Sequence, residues 1–240
     1  MTVQTKGEPM NSPVGVHHVV ISTKDMKAQL EFFTQVLGTP LVGLFDMHGL
    51  DGAFHAFVQL DDYSHVSFVQ VPGMEDIEPV MGVSHSGTGD GVSAPGTMQH
   101  LAFAAHTKDE LLAMRDRLRA AGVVTFGPIE HGMCSSIYFA GPEGLTLEVA
   151  WAPGPLDHQA WVDPEVAAGC GISAEELEAM RHPAPYHRPD EPVAQPEIDP
   201  AKPHLAYPED RYQLMVSLDD ETIIKAGSFE DPPIAVDDDA

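Results

Sequence analysis

Basic residues are scarce in this chain: 12 Lys and Arg stand against 37 Asp and Glu, a formal charge of −25. Such an excess repels polyanions and anionic membrane surfaces, which excludes nucleic acid and membrane as partners but not a small ligand in a buried pocket. Long apolar runs are missing too. Nothing approaches the roughly 20 residues needed to cross a bilayer, and the opening MTVQTKGEPMNSP has no apolar centre of the secretory kind. A cytoplasmic protein is expected. Cysteine is reduced to Cys134 and Cys170, which make neither a CxxC pair nor a disulfide ladder, so both are expected to be packing residues in a reducing compartment. The length of 240 residues allows one domain with a substantial core, or a compact domain plus an extension.

Histidine, by contrast, is plentiful: 13 residues, more than core packing needs. His48, His158, His182, His187 and His204 lie in polar or Pro-rich stretches and read as solvated. Two others open matching segments. GVHHVVISTKDMKAQLEFFTQVLG and MQHLAFAAHTKDELLAMRDRLRAAG share a layout, each a histidine, a short strand-like run (VVI after His18, LAF after His100) and then a helix. In the first helix Asp25 is the expected N-cap, Met26, Leu30, Phe33 and Leu37 form one face, and Gly38 ends it. In the second, Thr107 and Glu110 have the capping-box form, Leu111, Met114, Leu118 and Ala121 form the face, and Gly122 ends it.

Strand-like runs follow each helix: LVGLF, AFHAFVQL and HVSFVQV, then VVTFG, SSIYFA and LTLEVAW. The expected fold is α+β, a pair of βαβββ modules that must cover each other's apolar faces. The paired domain spans 14–152, with a first module at 14–73 and a second at 97–152. The intervening MEDIEPVMGVSHSGTGDGVSAPG reads as a long loop of the kind that carries function. Beyond Trp151, residues 153–240 hold most of the 21 prolines and read as a Pro-rich, largely extended C-terminal arm. Only SAEELEAMRH is expected to be helical there, and the DDDA end is expected to be disordered. Such an arm would wrap its own domain or a partner subunit of a homo-oligomer.

Equivalent positions of duplicated strands meet when the modules pair, so His18 and His100 can face one ion. Glu148 is the third candidate, since alternation along LTLEVAW turns it away from Leu147 and Val149. A carboxylate in so apolar a strand is costly to bury without a partner, and a metal is one such partner. Two imidazoles and one carboxylate leave positions open on iron(II) for substrate and oxygen. His17 must point away from His18 in a regular strand, to the outer face or into a hydrogen bond behind the metal. Phe54, Phe57 and Phe68 are either core residues or contacts for an aromatic ring.

HHVVISTKDM, HLAFAAHTKDEL and GPEGLTLEVAW resemble the two ligand-bearing openings and the glutamate strand of the vicinal oxygen chelate superfamily, over about residues 14 to 152. The resemblance implies that fold and a metal held by His18, His100 and Glu148. Glyoxalase-type members add a fourth ligand from the first module's last strand, where the matching place falls near Ser67 or Phe68 and only Gln70, out of register, could serve. Within IEHGMCSSIYFAGPEGLTLE, the set His131, Ile137, Tyr138, Pro142, Gly144 and Glu148 is similar to the signature of small type I extradiol ring-cleaving dioxygenases. Gly141 departs from it, standing where a polar residue or alanine is preferred. The resemblance implies an Fe(2+) dioxygenase of aromatic hydrocarbon catabolism that cleaves a small aromatic diol with O2. His85, upstream of His100, would be its acid-base group, a task for the side chain that changes charge near neutral pH. Tyr138 would hydrogen-bond the substrate oxygen, and His131 would line the pocket. The alternatives are a lyase or isomerase using Mn(2+), Ni(2+) or Zn(2+) on the same triad, and a metal-free binding or resistance protein.

Overall fold

The computed structural model describes residues 9–10, 12–228 and 231–235, so the DDDA end lies outside the described residues. Two compact units are present, one built from residues 13–180 and one from the described parts of 1–12 and 181–240. In chain order, the two-residue strand β1 (Pro9–Met10) precedes a first module of β2 (His18–Ser22), α1 (Met26–Glu31), β3 (Leu41–Asp46), β4 (Phe54–Gln59) and β5 (His65–Gln70). The second module repeats the order with β6 (Leu101–Ala104), α2 (Lys108–Ala120), β7 (Thr125–Glu130), β8 (Ser135–Ala140) and β9 (Thr146–Trp151). Each module is a four-stranded sheet, β2-β5-β4-β3 or β6-β9-β8-β7, in which one edge pair, β2 with β5 or β6 with β9, is parallel and the other pairs are antiparallel.

The helix signals act as expected. Asp25 accepts from the Ala28 amide at 3.0 Å, and Gly38 ends the helix at φ +86°, a left-handed conformation natural to glycine. Thr107 and Glu110 form the reciprocal capping box of α2. Met26, Phe33 and Leu37 from the first helix and Leu111 and Leu118 from the second are buried in one core with Val66, Phe68, Ile137, Leu147 and Val149 of the strands. Two details differ from expectation. From Phe32 to Leu37 the first helix widens into a π-helical turn, and Ala121 is the exposed C-cap of α2 rather than part of its buried face.

The modules also grip each other's chain through the ends of the first helix. Arg117 of α2 donates from Nε to the Val36 carbonyl at 2.6 Å and from Nη2 to the Gln35 carbonyl at 3.1 Å, where a helix leaves carbonyls unpaired. At the other end Glu143, in the turn before β9, accepts from the Thr23 hydroxyl at 2.6 Å, the Lys24 amide at 2.9 Å and the buried Gln29 side chain at 2.8 Å.

Beyond Trp151 the chain is more helical than its composition suggests. The expected helix is α5 (Ala174–Arg181), after α3 (His158–Trp161) and α4 (Pro164–Gly169); then come the short strand β10 (Tyr186–His187), paired with β1, and helices α6 (Glu209–Ser217) and α7 (Asp220–Gly227). Side-chain caps by Asp157, Asp163 and Asp219 start three of these short helices, so the Pro- and Asp-rich composition marks helix starts as well as loops. Cys134 is half-buried, but Cys170 is exposed as the C-cap of α4, which corrects its reading as a packing residue. His48, His158, His182, His187 and His204 are all exposed.

Candidate metal centre and substrate cleft

Alternation along β9 decides which groups share a face. Leu147 and Val149 lie in the core, which turns Glu148 to the opposite face, and it is nevertheless only 5% exposed. The register pairs Glu148 with Ala102 on one side and with Tyr138 on the other. His100, two residues before Ala102, belongs to the same face. Its Nε2 lies 2.9 Å from Glu148 Oε2, while its Nδ1 is hydrogen-bonded to the Gln99 side-chain oxygen.

The first module presents its own version of these positions. His18 pairs with His65, Val20 with Ser67, and Ser67 with Phe57, so His18, Ser67 and Phe57 occupy the places of His100, Glu148 and Tyr138. The place of a fourth ligand is therefore a serine, hydrogen-bonded at 2.5 Å to His55 Nε2. Burial, and then the nearby His18, hold the His55 imidazole below its ordinary pKa. Exposed His18 has its Nδ1 2.8 Å from His17 Nδ1 and its ring edge-on to Phe57 at 5.7 Å. Of the three phenylalanines, Phe68 is core, Phe57 touches His18, and Phe54 lines a groove beside α1 and β3.

Two of the three expected ligands are thus in contact, and His18 stands at the matching place of the other sheet. Among the described residues no three His, Cys, Asp or Glu side chains are gathered closely enough to hold an ion. At 2.9 Å the contact has the length of a hydrogen-bonded ion pair, and it also leaves the two atoms able to share an ion, since ligand atoms about 2.0–2.2 Å from one ion and at right angles stand about 3 Å apart. A buried carboxylate against an imidazole whose other nitrogen is already engaged is also the usual chemistry of a histidine and carboxylate that share a metal.

The remaining candidates line two adjoining cavities that share Leu145 and Thr146 as walls. His85 and His100 face the smaller, of about 290 Å³; His131 and Tyr138 face the larger, of about 820 Å³, whose walls also include Met81, Phe126 and Ile129. His85 is held by Ser84 Oγ at 2.8 Å from its Nδ1, and His131 Nε2 lies 3.1 Å from the Tyr138 hydroxyl. Burial, and then the Glu148 carboxylate, push the Tyr138 pKa above its ordinary value. The hydroxyl therefore keeps its proton at neutral pH and can donate it in a hydrogen bond. Gln99, Gln29 and Glu143 escaped the sequence reading, because an amide or a turn carboxylate carries no periodic signal.

A family model described as the Glyoxalase/Bleomycin resistance protein/Dioxygenase superfamily matches residues 15–149. Biphenyl-2,3-diol 1,2-dioxygenase 2 of Rhodococcus globerulus is 28% identical over 134 residues, 55% of this chain and 60% of that protein. Biphenyl-2,3-diol 1,2-dioxygenase 3 of the same organism is 24% identical over 133 residues, with the same shares. The match thus spans about 60% of the length of these curated relatives. Among solved structures, a glyoxylase/bleomycin resistance protein/dioxygenase domain from Frankia sp. EAN1pec is 17% identical, covers 59% of this chain and 99% of its own, and superposes with a TM-score of 0.47.

Proposed function

We propose that this chain, which belongs to the Glyoxalase/Bleomycin resistance protein/Dioxygenase superfamily, cleaves the ring of a catechol-type aromatic diol with O2 at a non-haem iron(II) centre. The observation that carries this reading is the contact of His100 Nε2 with Glu148 Oε2 at 2.9 Å, on the face that also presents Tyr138. The names of the two Rhodococcus relatives support the same reaction class. His18, His100 and Glu148 would hold the ion, His18 by turning its free Nε2 toward the other two. Iron(II) in that set supplies open positions and a path for electrons between the diol and oxygen.

The chain's own residues then supply proton handling and fit. Tyr138, which keeps its proton, donates a hydrogen bond to a substrate oxygen at the mouth of the larger cavity. His85, on the adjoining wall, accepts a proton from a substrate hydroxyl and returns it to the product. His131 braces Tyr138 and lines the cleft. The apolar walls at Met81, Phe126 and Ile129 suit the rest of an aromatic ring and its substituent, in a volume usual for small-molecule sites.

The rival is a lyase or isomerase using manganese, nickel or zinc as a Lewis acid. Ser67 in the fourth-ligand place speaks against it. Samples reconstituted anaerobically with each metal, then supplied with biphenyl-2,3-diol and simpler catechols, separate the two. Oxygen uptake and a coloured ring-opened product with iron alone is the expected result. Turnover of a non-aromatic substrate without oxygen, and no uptake on any catechol, would establish the rival.

A further inference from the structure

Gln99 stands immediately before His100, at the end of the loop that joins the modules, and its side chain bonds in two directions. The amide nitrogen faces two carbonyl oxygens, Thr88 O and Gly91 O, each at 3.0 Å. Carbonyls only accept, so this end of the amide is the NH2 group and both its hydrogens are used. The other end is therefore the oxygen, and it faces His100 Nδ1. That oxygen only accepts, so Nδ1 carries a hydrogen and donates it. With Nδ1 committed as a donor, Nε2, the nitrogen turned to Glu148, is the one left to donate to that carboxylate or, once deprotonated, to offer its lone pair to a cation.

The loop that receives the NH2 group is laid closely on the second module. Ser86 Oγ donates to the Gln99 carbonyl at 2.5 Å and lies 3.2 Å from Thr146 Oγ1. A Cβ at Gly91 would collide with the Ser86 carbonyl, and one at Gly89 would come within 3.1 Å of the Tyr138 ring. Thr88, Gly89 and Asp90 line the larger cavity, and His85 and Ser86 the smaller. One side chain therefore touches both the wall of the cleft and the candidate metal ligand.

We propose that Gln99 is a positioning residue that couples the seating of the 84–91 loop to the orientation of His100, so that cleft wall and metal ligand are set together. The inference rests on the iron reading of the site. The first module repeats half of the device, since His17 engages Nδ1 of His18 and leaves its Nε2 free. A cation drawing on His100 Nε2 makes Nδ1 a stronger donor, which tightens the bond to Gln99. By linkage, whatever seats the loop then favours the metal and the metal favours the seated loop.

Two variants of the full chain divide the claim. Gln99→Glu keeps an oxygen for His100 Nδ1 but loses both donors to the loop carbonyls; Gln99→Met loses both ends at similar size. Each is titrated anaerobically with iron(II) alone, and amide hydrogen exchange of residues 84–91 is followed with and without the metal. Iron should slow loop exchange in the wild type. Gln99→Glu should hold iron within a few-fold of wild type while its loop exchanges fast in both states. Gln99→Met should lose roughly 10- to 100-fold in iron affinity and also lose the metal-dependent protection. Wild-type affinity and wild-type protection in both variants would overturn the proposal, as would Gln99→Glu losing iron as severely as Gln99→Met. A wild type that binds no iron at all would instead overturn the iron reading, and this inference with it.

Discussion

Glu148 shows how much one position can carry. Its neighbours Leu147 and Val149 are core residues, so strand alternation alone turns the carboxylate to the other face, and both facts were legible in LTLEVAW. Its contact with His100 was not, because it depends on how β6 and β9 pair. The departure at Gly141 has a packing reason: a Cβ there would lie 2.8 Å from Leu147 Cδ1, so the larger residue preferred in the signature would press on the core strand. Replacing His18, His100 or Glu148 by alanine should in each case abolish stoichiometric iron binding, measured by metal analysis after anaerobic reconstitution. Iron should raise the melting temperature of the wild type more than that of any of the three, because a ligand held only by the folded state stabilises it. Full iron occupancy in one variant would remove that residue from the set. His85→Gln is expected to keep its iron yet turn over roughly 10²–10⁴-fold more slowly, the usual contribution of a positioned acid-base group. An iron-replete variant within a few-fold of wild type from pH 6 to 9 would make His85 an ordinary loop residue.

At the scale of elements, the helices were legible from their ends: Asp25, the Thr107 and Glu110 pair, Gly38 and Gly122 mark them in the sequence and in the structure. The π-helical turn at Phe32–Leu37 and, α5 apart, the short helices beyond Trp151 were not, since each depends on a few local hydrogen bonds rather than on a sustained apolar period. Glu143 was invisible for a different reason, being the unspecified residue of a Pro-x-Gly turn, yet it is the group that binds the second module's turn to the start of α1. Burial alone would raise its pKa, but hydrogen bonds from Thr23, Gln29 and the Lys24 amide outweigh that and hold it below the ordinary 4.5. A depressed carboxylate contributes stability above its unfolded pKa and loses it as pH falls through the folded value. Glu143→Gln should therefore cost roughly 1–3 kcal/mol at pH 7, the scale of hydrogen bonds to a charged group, and the gap to wild type should shrink toward pH 3. Urea unfolding at the two pH values measures this. A gap that stays constant would mean that the charge of Glu143 contributes nothing.

Across the whole molecule, the duplication was the most legible feature. Two histidine-led openings announced two modules, and both sheets have the same strand order and mixed pairing. What the repeat could not convey is its asymmetry. Equivalent places hold Ser67 and Glu148, or Phe57 and Tyr138, so the second module carries the carboxylate and the hydroxyl while the first offers a histidine and an apolar wall. The charge of −25 disfavours polyanions and favours the approach of a cation, which agrees with the proposed loading of a divalent metal. The most direct test of that account is turnover of a catechol by the iron-loaded protein under ¹⁸O2. Ring-opening dioxygenation predicts one O2 consumed per diol and both labelled atoms in the freshly formed product. Conversion of the diol without oxygen uptake, or product free of label before any exchange with water, would contradict it.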